Sequence, residues 1–194
     1  MLNLKDQVID YTLHSKEYMK NSLVNLINNV LYTDMSDKGW TEGLIASGTN
    51  KSIRSVKVRD FQEESIENSV SKRIIYNDLK RFVSSVETLY KEKVSSWYFS
   101  RKTYFQFLHY DKDNGGHYNY HVDHYADAPR SLTILVGLNS SNEYEGGELF
   151  VHNQEEGLKL GAGDFICFPS NFMYPHKVSP LKKGERKVLV IWTL

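Results

Sequence analysis

The stretch RKVLVIWTL at residues 186–194 alternates two sets of side chains that are both largely apolar. Successive side chains of a β-strand point to opposite faces, so every second residue from Arg186 to Trp192 would share one face and Lys187 to Ile191 the other. Both faces of such a strand must be covered. The stretch therefore predicts a strand with one face toward a barrel interior and the other beneath a further layer.

The sequence after Ser95 supplies the remaining strands. Short runs rich in β-branched and aromatic residues alternate there with turn residues such as Gly, Asn and Asp. The runs before the final stretch are TYFQFLHY (103–110), SLTILVGLN (131–139), ELFVH (148–152), GLKL (157–160), DFICF (164–168) and YPHKV (174–178). Seven or eight short strands separated by turns predict an antiparallel barrel or jelly roll.

Two amphipathic segments precede these strands and are the available cover. The first runs from Ser15, a candidate N-cap, to Tyr32, and the second from about Ser71 to Lys93. In both, apolar residues recur every three or four positions, which predicts a helix with one apolar face. Between them, SIRSVKVRD (52–60) alternates enough to predict a short strand.

Together these patterns predict one α+β domain over residues 1–194. Residues 1–94 would give mainly helical support, and residues 95–194 the jelly-roll core. The expected architecture is a double-stranded β-helix, or jelly-roll barrel, with the N-terminal helices packed on its outside.

Composition restricts the partners and the compartment. Lys plus Arg and Asp plus Glu number 24 each, so net charge gives no reason to expect a nucleic acid or membrane partner. The single cysteine, Cys167, lies in an apolar run and favours a core position in a reducing, cytoplasmic protein. The chain has no apolar stretch near the ~20 residues of a membrane span, and its first ten residues do not resemble a signal peptide.

A cluster of histidines at HYNYHVDHY (117–125) predicts a metal site. In a strand, His121 and Asp123 would point to the same side and offer one imidazole and one carboxylate. His176, in a later strand-like run, is the candidate third ligand. Two His and one Asp leave three octahedral positions open, as in non-haem Fe(II) oxygenases, whereas a structural zinc site would be closed by a fourth ligand, often Cys.

Each of these residues also has a purely structural interpretation. A lone His-x-Asp arises by chance in many proteins, and a lone histidine such as His176 more often forms a hydrogen bond in a core or at a rim. Four further histidines, which we do not assign to the site, are His109, His117, His124 and His152.

Arg186 favours the functional interpretation. It begins the final strand on the face predicted to be inside, ten residues after His176 and beyond the turn SPLKKGE (179–185). A buried arginine needs an anion, and its planar fork matches a carboxylate. An ion pair with a protein carboxylate would satisfy it as well. Beside His121, Asp123 and a distal His, a dicarboxylate cosubstrate explains it better.

These residues resemble the catalytic domain of the 2-oxoglutarate and Fe(II)-dependent dioxygenases, and most closely its prolyl 4-hydroxylase-like group. The resemblance covers about Phe105 to Leu194. The motifs that carry it, in order, are HYDKDNGGHYNYHVD (109–123), RSLTILVGLN (130–139), EYEGGELFV (143–151), LGAGDFICFP (160–169) and PHKVSPLKKGERKVLVIW (175–192).

The resemblance implies a cofactor set and a role for each matched residue. The cofactor set is Fe(II), with 2-oxoglutarate and O₂ as cosubstrates and ascorbate as an additional reductant. The implied iron ligands and catalytic residues are His121, Asp123 and His176; the implied cosubstrate-binding residues are Arg186, Tyr110, Thr133 and Tyr118. Gly137 departs from the pattern, because some relatives place a tyrosine there near the cosubstrate.

The implied reaction hydroxylates an unactivated C–H bond and releases succinate and CO₂. A peptidyl proline is the substrate that the resemblance favours, and aromatic residues such as Tyr125 and Trp97 would suit its ring. The alternatives are the same chemistry on a free amino acid, another protein side chain or a nucleobase. A non-enzymatic jelly-roll binding or structural module is a further alternative, as is a zinc or manganese cupin-type enzyme, whose His-x-His pair and Glu we do not find.

Overall fold

The parts of the chain described in the computed structural model are residues 11–33, 39–45, 47–95, 102–125, 129–152 and 154–194. The first ten residues, which were expected not to form a signal peptide, and Trp97 lie outside the described residues. Within the described ranges, no helix combines the length and the apolar character needed to cross a membrane.

Two α-helices and twelve strands form the regular structure of the described residues. The helices are α1 (Asn21–Leu31) and α2 (Val70–Lys93). The strands are β1 (Leu13–Ser15), β2 (Thr41–Glu42), β3 (Arg54–Ser55), β4 (Lys57–Phe61), β5 (Thr103–Asp111), β6 (His117–His121), β7 (Leu132–Gly137), β8 (Tyr144–Gly146), β9 (Leu149–Val151), β10 (Phe165–Pro169), β11 (His176–Val178) and β12 (Leu181–Thr193).

The strands form a large and a small antiparallel sheet. The large sheet has the order β1-β10-β7-β12-β5-β4-β2, with β8 paired to β12 beside this path, and the small sheet has the order β3-β6-β11-β9. Side chains from both sheets, such as Val190 of β12 and Val178 of β11, share one buried apolar cluster. This arrangement is the predicted jelly roll, and the α+β class is confirmed.

Strand β12 has the two buried faces that its sequence predicts. It lies between β5 and β7, and its Val188 and Val190 pack in the cluster between the sheets. Leu189 and Ile191 pack instead in a second cluster with residues of both helices. The helices therefore cover the outer face of the large sheet, as expected.

Helix α2 agrees with its prediction, whereas the predicted start of α1 is wrong. Ser69 caps α2 by accepting a hydrogen bond from the Lys72 backbone N–H at 3.3 Å. Ser15 is not an N-cap, because it lies in β1 and pairs with Phe165 at the edge of the large sheet. The backbone N–H of Glu17 then donates to Asp164 and holds the chain outside a helical path until Asn21.

Two strand predictions also need correction. SPLKKGE, predicted to be a turn, largely belongs to β12, which starts at Leu181 and pairs first with β8. Gly184 permits the irregular register there, since its φ is +73°. GLKL (157–160), predicted to be a strand, makes only one isolated bridge, between Leu158 and Leu149.

The N-terminal half also contributes to both sheets. SIRSVKVRD forms two strands instead of one: β3 pairs with β6 in the small sheet and β4 pairs with β5 in the large sheet. Val56 lies between them and is buried. This stretch therefore connects the two sheets and brings Arg54, on β3, beside the strand that carries His121.

Candidate active site

Two histidines meet across neighbouring strands of the small sheet. In the pairing of β6 with β11, His121 lies directly opposite His176, and their ring centroids are 4.2 Å apart. Tyr118 stacks on the His121 ring at 3.5 Å with an interplanar angle of 19°. Strand register alone therefore brings together two imidazoles that are 55 positions apart in the chain.

Backbone carbonyls orient both rings in the same way. Nδ1 of His121 lies 2.9 Å from the carbonyl oxygen of Asn119, and Nδ1 of His176 lies 3.2 Å from that of Tyr174. A carbonyl oxygen only accepts, so each Nδ1 carries the proton. Each Nε2 is then free to bind a metal, and the carbonyls fix the direction of its lone pair.

Asp123 is the third ligand candidate, although it does not lie in the strand in which it was expected. β6 ends at His121, and the Asp123 backbone N–H donates to the Ser170 carbonyl at 3.2 Å. The carboxylate nevertheless converges on the histidines: Oδ1 lies 3.7 Å from His121 Nε2, and Oδ2 lies 3.4 Å from His176 Nε2. The Thr133 hydroxyl donates to Oδ2 at 2.7 Å, so it accepts from the Ser170 hydroxyl, which lies 2.9 Å away.

Two of the three ligand candidates, His121 and Asp123, have the protonation states that metal binding requires. Burial, with a further effect from His176, lowers the pKa of the His121 imidazole to about 3. Burial acts to raise the pKa of the Asp123 carboxyl, but the charges and hydrogen bonds of the neighbouring histidines outweigh burial and hold that pKa well below its usual range. At neutral pH His121 is therefore neutral and Asp123 ionised.

The donor set fits Fe(II) in its composition and its spacing. One ligand atom from each of His121, Asp123 and His176 lies within 4.8 Å of the others. Two imidazoles and one carboxylate are the ligand set of non-haem iron sites that keep positions open for other molecules. Cys167, the thiol that would favour zinc, is buried in the cluster beneath the helices.

Arg186 and Tyr110 lie at the inner end of a cavity that the three ligand candidates also line. They lie directly opposite each other on β12 and β5, and the Arg186 guanidinium carbon is 5.1 Å from the Tyr110 ring centroid. Arg186 is only 2% exposed, and its Nε and Nη2 have no hydrogen-bond partner. Among the described residues no carboxylate lies within 4.0 Å of this guanidinium. A buried, unpaired guanidinium next to a cavity is suited to a carboxylate ligand.

One cavity connects the triad with this guanidinium. It has a volume of about 510 Å³, and its lining includes all three metal-ligand candidates together with Arg186, Tyr110 and Tyr118. Thr133 is fully buried and contacts the cavity through Asp123. The seven residues singled out from the sequence are thus brought to one place, while their roles stay predictions.

Tyr144, which the sequence did not single out, lies beside Arg186. Its hydroxyl donates to the Leu160 carbonyl at 3.1 Å. Burial raises the pKa of Tyr144, and the nearby charge of Arg186 acts in the opposite direction. A Cβ atom at Gly137 would lie 2.2 Å from the Gly161 carbonyl oxygen, so backbone occupies the space that a side chain at position 137 would need.

Arg130 and Ser170 are further site residues that the pattern analysis missed. Arg130 stacks on the Trp192 ring at 3.7 Å and donates to the Asp123 backbone carbonyl at 3.3 Å. Neither belongs to a periodic pattern, because both lie in connections between strands. Trp192 lies on the predicted inward face of the last strand. This alternation of faces is the one sequence signal that leads to Arg130, which stacks on Trp192.

The four histidines left unassigned, His109, His117, His124 and His152, make other contacts. Nε2 of His109 is 3.2 Å from a Glu185 carboxylate oxygen. The other three have Nδ1 close to backbone carbonyl oxygens. Among the described residues, none of the four belongs to a group of three or more converging metal-ligand atoms.

Comparison with known proteins gives the class of this fold and site. The family model of the 2OG-Fe(II) oxygenase superfamily matches residues 105–194. A PKHD-type hydroxylase of Prochlorococcus marinus is 28% identical over 188 residues, which cover 95% of this chain and 78% of that protein. Residues 105–194 are therefore similar to the 2OG-Fe(II) oxygenase superfamily, whose members use Fe(II), 2-oxoglutarate and O₂.

Within this superfamily the chain is similar to PKHD-type hydroxylases and has the fold of prolyl hydroxylases. Further Prochlorococcus marinus relatives are 38–43% identical over 82 residues, which is only 36% of their length. A Pseudomonas putida prolyl-4-hydroxylase superposes with a TM-score of 0.76 at 15% identity, covering 98% of this chain and 96% of that one. A prolyl hydroxylase of Trichoplax adhaerens gives 0.77 at 17% identity, covering 98% and 86%.

The contact between Thr133 and Asp123 generates a prediction about metal affinity. Thr133→Val keeps the side-chain shape but removes the hydrogen bond that orients the carboxylate, so Fe(II) affinity should fall by about 10–100-fold. Anaerobic titration with Fe(II) measures this change. Thr193→Val is the matched control, because Thr193 is equally buried and its hydroxyl bonds only to the Leu132 backbone. Equal affinity in wild type and Thr133→Val would contradict the assignment.

The lowered pKa of His121 generates a prediction about pH. The unfolded chain protonates this imidazole near pH ~6.5, whereas the folded protein keeps it neutral to about pH 3. The unfolded state therefore binds more protons between these values, and the free energy of unfolding of the metal-free protein should fall as pH decreases through that window. Urea unfolding from about pH 7 to about pH 5 tests this. His121→Gln should show a shallower decrease, and parallel curves would refute the prediction.

Proposed function

We propose that the chain is a 2-oxoglutarate-dependent dioxygenase that hydroxylates a prolyl residue of a peptide or protein. The observation that carries the proposal is the convergence of His121, Asp123 and His176 on the cavity that contains the unpaired guanidinium of Arg186. A metal ligand set with open positions and a carboxylate site in one cavity match a reaction that needs a metal, a keto diacid and a substrate together.

In this proposal each residue has a defined task. His121, Asp123 and His176 hold Fe(II), and Thr133 orients Asp123. Bound Fe(II) supplies O₂ activation, coupled to the decarboxylation of 2-oxoglutarate to succinate and CO₂ and to the insertion of one oxygen atom into a substrate C–H bond.

The protein's own contribution is to position the cosubstrate and exclude water. Arg186 binds the distal carboxylate of 2-oxoglutarate through its two unpartnered nitrogens, and the Tyr110 hydroxyl provides a further hydrogen-bond donor. Burial raises the pKa of Tyr110 and keeps this hydroxyl protonated, against the opposing effect of Arg186. Tyr118 packs on His121 and keeps its ring in place.

A proline substrate is supported by the similar structures and by aromatic residues that line the cavity. One similar structure is of a prolyl-4-hydroxylase, and another is of a prolyl hydroxylase in complex with a peptide fragment. In this chain Trp192 and Tyr125 line the cavity on the metal side, and aromatic faces suit a proline ring. We further propose a cytoplasmic protein with a peptide partner and no nucleic acid or membrane partner, in which ascorbate keeps the iron reduced.

One experiment tests both the proposed proline substrate and the proposed role of Asp123. Protein loaded anaerobically with Fe(II) is given 2-oxoglutarate, O₂ and a panel of proline peptides, and succinate and oxygenated peptide are measured. Wild type should form both products in equal amounts, and Asp123→Ala should form neither, while Asp78→Ala, an exposed aspartate on α2, should match wild type. Equal activity in wild type and Asp123→Ala would end the dioxygenase proposal. Turnover of free amino acids or nucleobases instead of peptides would end the proline assignment.

A second prediction concerns the guanidinium of Arg186. Arg186→Met keeps an unbranched apolar stem but removes the charged guanidinium, so the apparent KM for 2-oxoglutarate should rise by about 100-fold, the loss expected for one or two charge-assisted hydrogen bonds. Iron affinity should stay at the wild-type value. Arg186→Lys should restore part of the loss, and Lys187→Met, the next residue on the opposite face of β12, is the control. An unchanged KM in Arg186→Met would remove Arg186 from the cosubstrate site.

A further inference from the structure

A second arginine, Arg54, lines the outer part of the active-site cavity. It belongs to β3, in the half of the chain that lies outside the family match. Lining residues that keep solvent exposure, such as Leu44 at 60% and Tyr125 at 39%, mark this part as the open end. Arg186, at the other end, is almost fully buried. Arg54 is therefore placed where a substrate enters, not where 2-oxoglutarate is expected to bind.

The Arg54 guanidinium is held in a fixed orientation. Its Nη1 donates to the Leu44 carbonyl at 2.6 Å, and its Nη2 donates to the Gln106 side-chain oxygen at 3.4 Å. The guanidinium carbon lies 4.6 Å from the centroid of the Tyr118 ring. On the other side, Gly43 leaves room for the guanidinium, since a Cβ there would lie 2.7 Å from Nε. A cation fixed in this way loses little conformational entropy when it binds an anion.

Arg54 has no acidic partner in the described part of the chain. None of the described carboxylates lies within 4.0 Å of it. Two acidic residues of the outer cavity have other partners. Glu42 pairs with Lys51 at 3.3 Å, and Asp60 accepts a hydrogen bond from Gln106 at 2.7 Å. The charge of Arg54 is therefore available to a ligand.

Arg130 places a second cation beside the same opening. Its guanidinium carbon lies 5.5 Å from the Tyr125 ring, and the Tyr125 hydroxyl interacts with that of Tyr118, on which Arg54 stacks. The two arginines and the two tyrosines thus form a continuous arc along the wall that carries His121. The only acid near Arg130 is Asp123, at 3.9 Å among the described residues, and this carboxylate is already shared by the metal ligands.

We propose that Arg54 is a specificity-determining residue that binds a carboxylate of the substrate, with Arg130 adding a second positive charge across the opening. The preferred substrate then carries an acidic group beside the residue that is hydroxylated. This inference rests on the proposed function, because it assumes that the substrate enters the cavity next to the metal ligands. The carboxylate can belong to a flanking acidic side chain or to the substrate's own terminus, since both present the same chemistry to a guanidinium.

Two matched pairs of probes test the inference. The first pair is a blocked peptide with glutamate next to proline and the same peptide with glutamine. The second pair is N-acetylproline and N-acetylprolinamide. Binding to protein loaded with Fe(II) and 2-oxoglutarate is measured without O₂, and kcat/KM for hydroxylation is measured with O₂.

Wild type should bind the carboxylate member of at least one pair about tenfold more tightly than its amide, as one charge-assisted hydrogen bond predicts. Arg54→Gln should bind both members equally, and Arg54→Lys should keep part of the preference because it keeps the charge. Arg59→Gln, an arginine on β4 that packs near Trp40 and does not line the cavity, should keep the whole preference. A preference confined to the peptide pair identifies a flanking acid, and one confined to the N-acetylproline pair identifies the terminal carboxylate.

Three results would overturn the inference: no preference in wild type for either pair, a preference that survives in Arg54→Gln, or equal losses in Arg54→Gln and Arg54→Lys. The last result would show that Arg54 only supports Tyr118. Failure of the proposed function would give a different experimental result. If the acidic probe binds through Arg54 but is not hydroxylated, prolyl hydroxylation is wrong and the carboxylate site stands. If both peptides are hydroxylated equally well, the function stands and this inference is wrong.

Discussion

The antiparallel pairing of β6 with β11 is the constraint on which the metal centre depends. It sets His121 opposite His176, and the backbone carbonyls that fix the two rings come from the same two chain segments. A shift of one residue in this register would turn one imidazole to the other face of the sheet. The cluster between the sheets, which includes Val151 and Val178, resists such a shift because it would expose these side chains to water.

The cavity carries two buried side chains of opposite charge at different places. A negative carboxylate, Asp123, lies between the histidines near the middle of the cavity, and a positive guanidinium, Arg186, lies at its closed end. Buried charges of this kind are costly when they are unpaired. Asp123 is stabilised by Thr133 and the histidines, while Arg186 packs on the Tyr110 ring and lies beside Tyr144. In the proposed function, the binding of a metal ion and a keto acid would supply the missing opposite charges.

The fold and most of the site could be predicted from sequence, because the decisive signals are local. The two-sided apolar pattern of β12 and the helical stripe of α2 are periodic features, whereas the site residues were predicted from short motifs that resemble a known family. The errors arose where long-range contacts override local pattern. Ser15 pairs with a strand edge instead of capping α1, and Asp123 reaches the histidines from a bend that Ser170 holds. Arg54 has no local signature, because its importance arises only when β3 pairs with β6.

Gly137 has a consequence for the design of inhibitors. The carbonyl oxygens of Leu160 and Gly161 fill the space that a side chain would take, and the Tyr144 hydroxyl binds one of them beside Arg186. In this chain, backbone and a phenol from a different strand thus pack beside Arg186. With a keto acid bound at Arg186 as proposed, an inhibitor that mimics the keto acid and extends past the guanidinium would meet this backbone and phenol, and not a side chain of residue 137.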